Sequence, residues 1–340
     1  MVEYFNHLRR EKAFLVLALL AALAITTYQL GRKPHFFYRS GQNQVKARPV
    51  LITLPAFFQN WRHQFLERNE RYDQSGLYRG IFLGDDSHVS QDDRRLFRKT
   101  GLSHILAASG FNCWIVAMAF GLMAQTLLVL INDSLPARFA LSVRSLILPL
   151  SRILGAWLFW SWSDQSPPIT RSATMVSVKF ALDALGFKST FERLLIVHYL
   201  ISLVLIPRWW LSASFQLTYG CLLGVVLFPK LIKRWRPETA TWVWDYLAAG
   251  TGACLGALPT TWIWFGEANF NSLLTNAFVV PVVSLAIMPL GVVQMLVLLA
   301  PQNPITDSVF EKCGWLAGGI SHGLRVFLEA WIEYIPSLSF

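Results

Sequence analysis

Thirty-three consecutive residues, Thr100 to Asn132, contain no Asp, Glu, Lys or Arg. A continuous helix of that length would run about 50 Å, against a bilayer hydrocarbon core of about 30 Å. The run is too long for one straight membrane helix and too apolar for the surface of a soluble domain. The charge distribution agrees. The chain holds 30 Lys and Arg and 20 Asp and Glu, and half of these fifty fall in residues 1–99. The remaining 241 residues hold only twenty-five, too few to solvate a globular surface. A water-soluble enzyme, a disordered tail and a coiled coil are excluded. The pattern predicts an all-α polytopic membrane protein.

Roughly seven to nine membrane helices are expected, some broken or re-entrant, with amphipathic helices lying at the interface. Residues 1–31 read as an N-terminal transmembrane helix, charge-free from Ala13 to Gly31 after Arg9, Arg10 and Lys12. Residues 32–99 form a basic extramembrane or interfacial segment. Within it Phe58, Trp61, Phe65 and Leu66 fall toward one side of a helix. Ser90-Gln91-Asp92-Asp93 opens another, acidic at its start and basic at its end through Arg94, Arg95, Arg98 and Lys99. Residues 100–340 form the membrane core, with apolar runs centred on 137–162, 192–206, 211–229, 241–265, 271–299 and 313–332. Ser109-Gly110 is the expected helix break in the long run. Pro281, with Pro289, is the expected break in 271–299. The basic start, together with Lys230, Lys233, Arg234 and Arg236, argues for a cytoplasmic N-terminus.

Several chemistries lack their residues. Cys113, Cys221, Cys254 and Cys313 stand singly in apolar runs and offer neither a metal pair nor a disulfide framework. The seven histidines never fall closer than sixteen residues apart, so no His pair seeds a metal site. Gly186-Phe187-Lys188-Ser189-Thr190 lacks the Gly directly before Lys that a phosphate loop needs. No metal or cofactor is expected. The tryptophans, among them Trp157, Trp160, Trp162, Trp209, Trp210, Trp262 and Trp264, fit interfacial belts better than base stacking.

The stretch Gly101-Leu102-Ser103-His104-Ile105-Leu106-Ala107-Ala108-Ser109-Gly110 resembles the competence-domain core of the ComEC family of inner-membrane DNA-uptake channels. Leu83-Gly84-Asp85 and Leu96-Phe97-Arg98-Lys99-Thr100 are similar to that family's lead-in. Three later blocks agree in order. Pro168-Ile169-Thr170-Arg171-Ser172-Ala173-Thr174-Met175 resembles a Pro-x-x-Arg-Ala-x-x-Met block, and Ser214-Phe215-Gln216-Leu217-Thr218 a Phe-Gln-Leu-Ser block. Phe265-Gly266, Asn276, Pro281 and Pro289-Leu290-Gly291 resemble the family's late pattern. Asn112 stands where many relatives carry His. The resemblance is to the core module alone, without the metallo-β-lactamase-like domain, whose His-x-His-x-Asp-His does not occur here.

The resemblance implies a channel carrying single-stranded DNA across the bacterial inner membrane during natural transformation. It also implies a separate ATPase motor, a periplasmic DNA receptor and a separately encoded nuclease-like domain, with the oligomeric state open to a homo-oligomer in contact with membrane lipids. Arg171 is the first choice for the substrate path, since an intramembrane cation is costly and faces a cavity or partner. Its other reading is an arginine snorkelling at a helix end. Lys179, on the same side of the helix, extends the path; Asn112, Gln216 and Asn276 line it or bond between helices. The expected geometry puts Arg171 in a polar cavity with the Ser109–Asn112 break. Two alternatives remain from other classes: a carrier of a smaller anion or an accessory subunit, and more remotely an intramembrane serine protease. The last would use Ser109 with His198 or His322 as base.

Overall fold

The computed structural model describes residues 56–106, 109–131, 137–163, 165–185, 187, 190–205, 212–235, 242–266 and 269–335. The expected first transmembrane helix, Trp209 and Trp210 lie outside the described residues. Among the described residues the chain is helical, with no strand.

The first three helices are short: α1 (Ala56–Asn69), α2 (Leu77–Leu83) and α3 (Gln91–Lys99). Gly76 and Gly84, both left-handed, bound α2 at its two ends. A Cβ on Gly76 would lie 2.8 Å from the backbone of His88, so that turn requires glycine twice over, by conformation and by space. Ser90 caps α3, its hydroxyl accepting from the amide of Asp93 at 3.0 Å. Asp92 and Asp93 open that helix and Arg98 and Lys99 close it, as the macrodipole favours. A left-handed Gly101 then turns the chain, followed by one 3-10 turn over Ser103–Ile105.

Helix α4 (Gly110–Ile131) begins only at Gly110, so the charge-free run is not one helix. It runs antiparallel to α5 (Ala137–Trp162), with Cys113 beside Ala156 and Gly121 beside Arg152. Next come α6 (Pro167–Ala184), α7 (Phe191–Leu205), α8 (Ala213–Leu231) and α9 (Trp242–Phe265). Helix α10 (Asn271–Val282) continues through a π turn, Val283–Ile287, into α11 (Met288–Val297). Pro281 and Pro289 flank that wide turn; they widen the helix there without ending it. Last is α12 (Pro304–Tyr334), opened by a capping box between Asn303 and Thr306. Among the described residues, three stretches are long and apolar enough to cross a membrane: Gly110–Leu130, Ala213–Leu231 and Asn271–Val297.

The larger core joins α1, α2, α4, α5, α6 and α10 to α12, and takes in Phe97 of α3 with Leu102 and Ile105 of the turn after it. Here the fold departs from the interfacial placement expected for the 58–72 pattern. Trp61 and Phe65 are buried, the Trp61 indole donating to the Met295 carbonyl at 2.9 Å and Phe65 packing on Phe82 and Phe310. Every residue of α2 is buried as well. An apolar stripe marks a face that must leave water, and it carries no information on whether lipid or protein covers it. Burying a ring of this size contributes roughly 1.5–3 kcal/mol, so α1 is part of the core. Only α3 keeps the interfacial pattern, burying Asp93 and Phe97 alone. At the centre Gln294 accepts from the Tyr78 hydroxyl at 2.6 Å and donates to Asn69 and the Phe310 carbonyl at 2.9 Å each.

Of the tryptophans, Trp160 and Trp162 are core residues, whereas Trp157, Trp262 and Trp264 are exposed and suit a membrane interface. Helices α8 and α9 meet through glycine. Gly220 and Gly224 oppose Gly256 and Gly252, so the backbones touch. Small residues spaced by four permit such approach between helices in lipid, where dispersion and not water exclusion drives association.

Candidate functional site

A smaller apolar core, Met175, Leu194, Leu195, Leu203, Phe215 and Tyr219, joins α6, α7 and α8 and surrounds a cluster of polar side chains. Arg171 is at its centre with 2% of its surface exposed. Its Nη2 donates to the Ser214 carbonyl and hydroxyl at 2.9 Å each and to the Thr218 hydroxyl at 2.8 Å. The guanidinium carbon lies 5.7 Å from the centre of the Phe215 ring. Helical spacing creates this acceptor set. Ser214 and Thr218 are four residues apart and share one face, and Ser212 caps α8 by accepting from the Phe215 amide at 3.2 Å.

One turn along α6 the polar row continues. The Thr174 hydroxyl meets Nε2 of His198 at 2.8 Å, and Nδ1 of His198 meets the Tyr219 hydroxyl at 2.7 Å. Ser202 completes the group, 3.2 Å from the Tyr219 hydroxyl and donating to the His198 carbonyl at 2.7 Å. His198 is 5% exposed. Sequence reasoning weighed His198 only as a base for Ser109. Its occurrence as the single histidine of an apolar run was the available signal, but the partners Thr174 and Tyr219 lie 24 and 21 residues away.

The other expected path residues are dispersed. Asn112 is buried and donates to the Ile81 carbonyl of α2 at 3.2 Å, whereas Arg171 is directed at α8. The two groups therefore do not form one cavity wall. What joins α6 to the helix break is Ser172, whose hydroxyl donates to the Gly110 carbonyl at 2.6 Å. Ser109 accepts from the Asn112 amide at 3.2 Å, a local turn contact. Lys179 pairs with both carboxylate oxygens of Asp183, at 2.5 and 2.6 Å. That pairing replaces the expected cationic track with a neutral pair. Gln216 accepts from the Trp264 indole at 2.8 Å, tying α8 to α9. Asn276 faces Cys254 at 4.0 Å, and its carbonyl accepts from the Tyr246 hydroxyl at 3.2 Å.

Among the described residues these features define a helical protein with membrane-length apolar stretches and a buried arginine on α6 that bonds to one of them, α8. The chain belongs to the competence protein family, whose family model matches residues 81–339. It is similar to ComE operon protein 3 of Bacillus subtilis (strain 168), with 23% identity over 226 residues. That alignment covers 66% of this chain and 27% of the relative, so the match spans about a quarter of the relative's length. No solved structure matches the chain.

Proposed function

We propose that this chain forms the membrane core of a channel that passes single-stranded DNA across the bacterial inner membrane during natural transformation. In this reading the apolar helices make a multi-pass protein of seven to nine membrane elements. A separate ATPase drives the strand, a periplasmic receptor delivers it, and a nuclease-like activity resides on another polypeptide. Membership in the competence family and the likeness to a ComE operon protein support the competence role.

The observation that carries the reading is Arg171. Arg171 is buried near the N-terminal end of α6, and an ionisable group buried among membrane helices is costly and marks a cavity, a partner or a substrate path. Its contacts to the Ser214 carbonyl and the Ser214 and Thr218 hydroxyls are bonds to neutral acceptors. Bonds to an ionised acceptor are about twice as strong. A passing phosphate can therefore displace them, bind, and release as the neutral acceptors return. Gln216 and Asn276 sit on α8 and α10 as further polar groups for the strand. Helix α4 starts only at Gly110, after the Ser109 turn, and the wide turn after Pro281 joins α10 to α11, so both long apolar runs depart from regular helix.

Uptake of labelled DNA into deletion cells tests this. Arg171→Ala should abolish uptake at unchanged protein abundance. Arg171→Lys should keep part of it, since the charge stays while the planar fork is lost. Wild-type uptake by Arg171→Ala at wild-type abundance would remove the residue from the path. Unchanged uptake on deleting the whole gene would instead leave a smaller-anion carrier or an accessory subunit.

A further inference from the structure

We infer that His198 is a proton-binding site coupled to anion binding at Arg171; the coupling rests on the phosphate reading of that arginine. Neither ring nitrogen of His198 is committed to a carbonyl or, among the described residues, to a carboxylate. Both face hydroxyls, Thr174 at Nε2 and Tyr219 at Nδ1, and a hydroxyl can donate or accept. A histidine with a purely structural task usually fixes one tautomer by donating to a carbonyl or carboxylate.

Each hydroxyl also has a second acceptor in reach. Thr174 can donate to the carbonyl of Thr170 at 3.0 Å or of Arg171 at 2.9 Å. Tyr219 can turn to Ser202 at 3.2 Å. The cluster can therefore take up one proton without losing a hydrogen bond. In the neutral state Nε2–H donates to Thr174, Thr174 donates to a backbone carbonyl, and the Tyr219 hydroxyl donates to Nδ1. The incoming proton adds to the Nδ1 lone pair. Nδ1–H then donates to the Tyr219 oxygen, and the Tyr219 hydrogen swings to Ser202, which keeps donating to the His198 carbonyl. One rotor moves and no other bond changes.

The charges facing the imidazole set the coupling. Helix α6 presents Thr174 and, one turn earlier, the Arg171 guanidinium. Helix α7 presents Ser202 and Tyr199, whose ring packs edge-on against Tyr219 with centroids 4.9 Å apart. Helix α8 presents Tyr219, and Thr218 beside it accepts from Arg171. Among the described residues the nearby charge is thus positive and opposes an imidazolium. A phosphate on Arg171 offsets that charge and admits the proton. By linkage, the proton must strengthen phosphate binding by the same factor.

The test uses the purified full chain labelled with 15N-histidine, with His198→Gln assigning the resonance. The probes are a short oligothymidylate and, separately, inorganic phosphate. His198 should be neutral without probe and carry protons on both nitrogens with it, and oligothymidylate affinity should weaken as pH rises. Ser202→Ala leaves the neutral network intact but strands the Tyr219 hydrogen in the protonated one. It should cost about tenfold in affinity at acid pH, the worth of about one buried hydrogen bond, and nothing at alkaline pH. His198→Gln should bind independently of pH. Protonation driven by phosphate but not by oligothymidylate would uphold the coupling and assign it to a smaller anion. Oligothymidylate binding that depends on Arg171 while His198 stays neutral would overturn the coupling and leave the strand reading standing. If neither probe binds, both fall.

Discussion

Gly224 and Gly252 oppose each other so closely that a Cβ on Gly224 would fall 1.8 Å from the Gly252 carbonyl oxygen. Gly220 and Gly256 repeat the arrangement one turn away, where a Cβ on Gly256 would lie 2.1 Å from the Gly220 carbonyl oxygen. No rotamer relieves a backbone clash, so the helices must part to admit any side chain.

Gly224→Ala should therefore separate α8 from α9 and cost at least the ~1–3 kcal/mol usual for overpacking. Gly250→Ala is the control, because a Cβ there meets nothing within 4 Å. Thermal unfolding in detergent should show a lowered midpoint for the first and an unchanged or slightly raised one for the second. Equal midpoints would mean that the two helices are not held by this contact.

Gln294→Leu should destabilise more than Tyr78→Phe. The first leaves the Tyr78 hydroxyl, the Asn69 side-chain oxygen and the Phe310 carbonyl each short of a partner. The second removes one donor to Gln294. At roughly 1–3 kcal/mol for each stranded group, the expected losses are about 3 kcal/mol or more against about 1–3 kcal/mol. The same unfolding measurement ranks them.

Acid stability should depend on Asp85. Partial burial raises its pKa, but the Ser87 hydroxyl and amide, at 2.6 and 3.2 Å, with Arg62 and His88, more than reverse this. The carboxyl is held below its ordinary value. A depressed folded pKa means that the stabilisation is complete above the unfolded value of about 3.9 and is lost as pH falls through the lower folded one. Ser87→Ala should lower neutral-pH stability by the lost carboxylate bond and so shrink that acid-side loss, leaving stability below both pKa values nearly unchanged. An identical acid profile for the variant would exclude Ser87 as the cause.

The local signals were legible because they depend on neighbours in sequence. Ser90 with Asp92 and Asp93 opens α3, and the apolar run 137–162 coincides with α5. Gly110 as a helix start followed from a run too long for the bilayer. Pairings across the chain were not legible. Trp61 and Phe65 marked an apolar face, but nothing in 56–69 says that Met295 and Phe310 cover it. Arg171 stood out by charge alone, whereas its partners Ser214 and Thr218 lie 43 and 47 residues further on. The paired Gly-x-x-x-Gly spacings at 220–224 and 252–256 were visible, yet only the fold brings one against the other. Lys179 shows the converse, since its partner four residues away is a helical neighbour by spacing.

The wide turn at Val283–Ile287 has a consequence for counting residues. Asn271, Thr275, Val279, Val283 and Ile287 are all buried, a strict step of four. On an α-helix each such step overshoots one turn by about 40°, so the inward row would wind off the core. The π turn holds one residue more than the α turn it replaces and lets the row continue to Gly291 and Met295. A homologue without the wide turn should align with a single-residue gap between Pro281 and Pro289. A gap of two there would swing everything after it by about 100° and take the counterpart of Gln294 away from Tyr78.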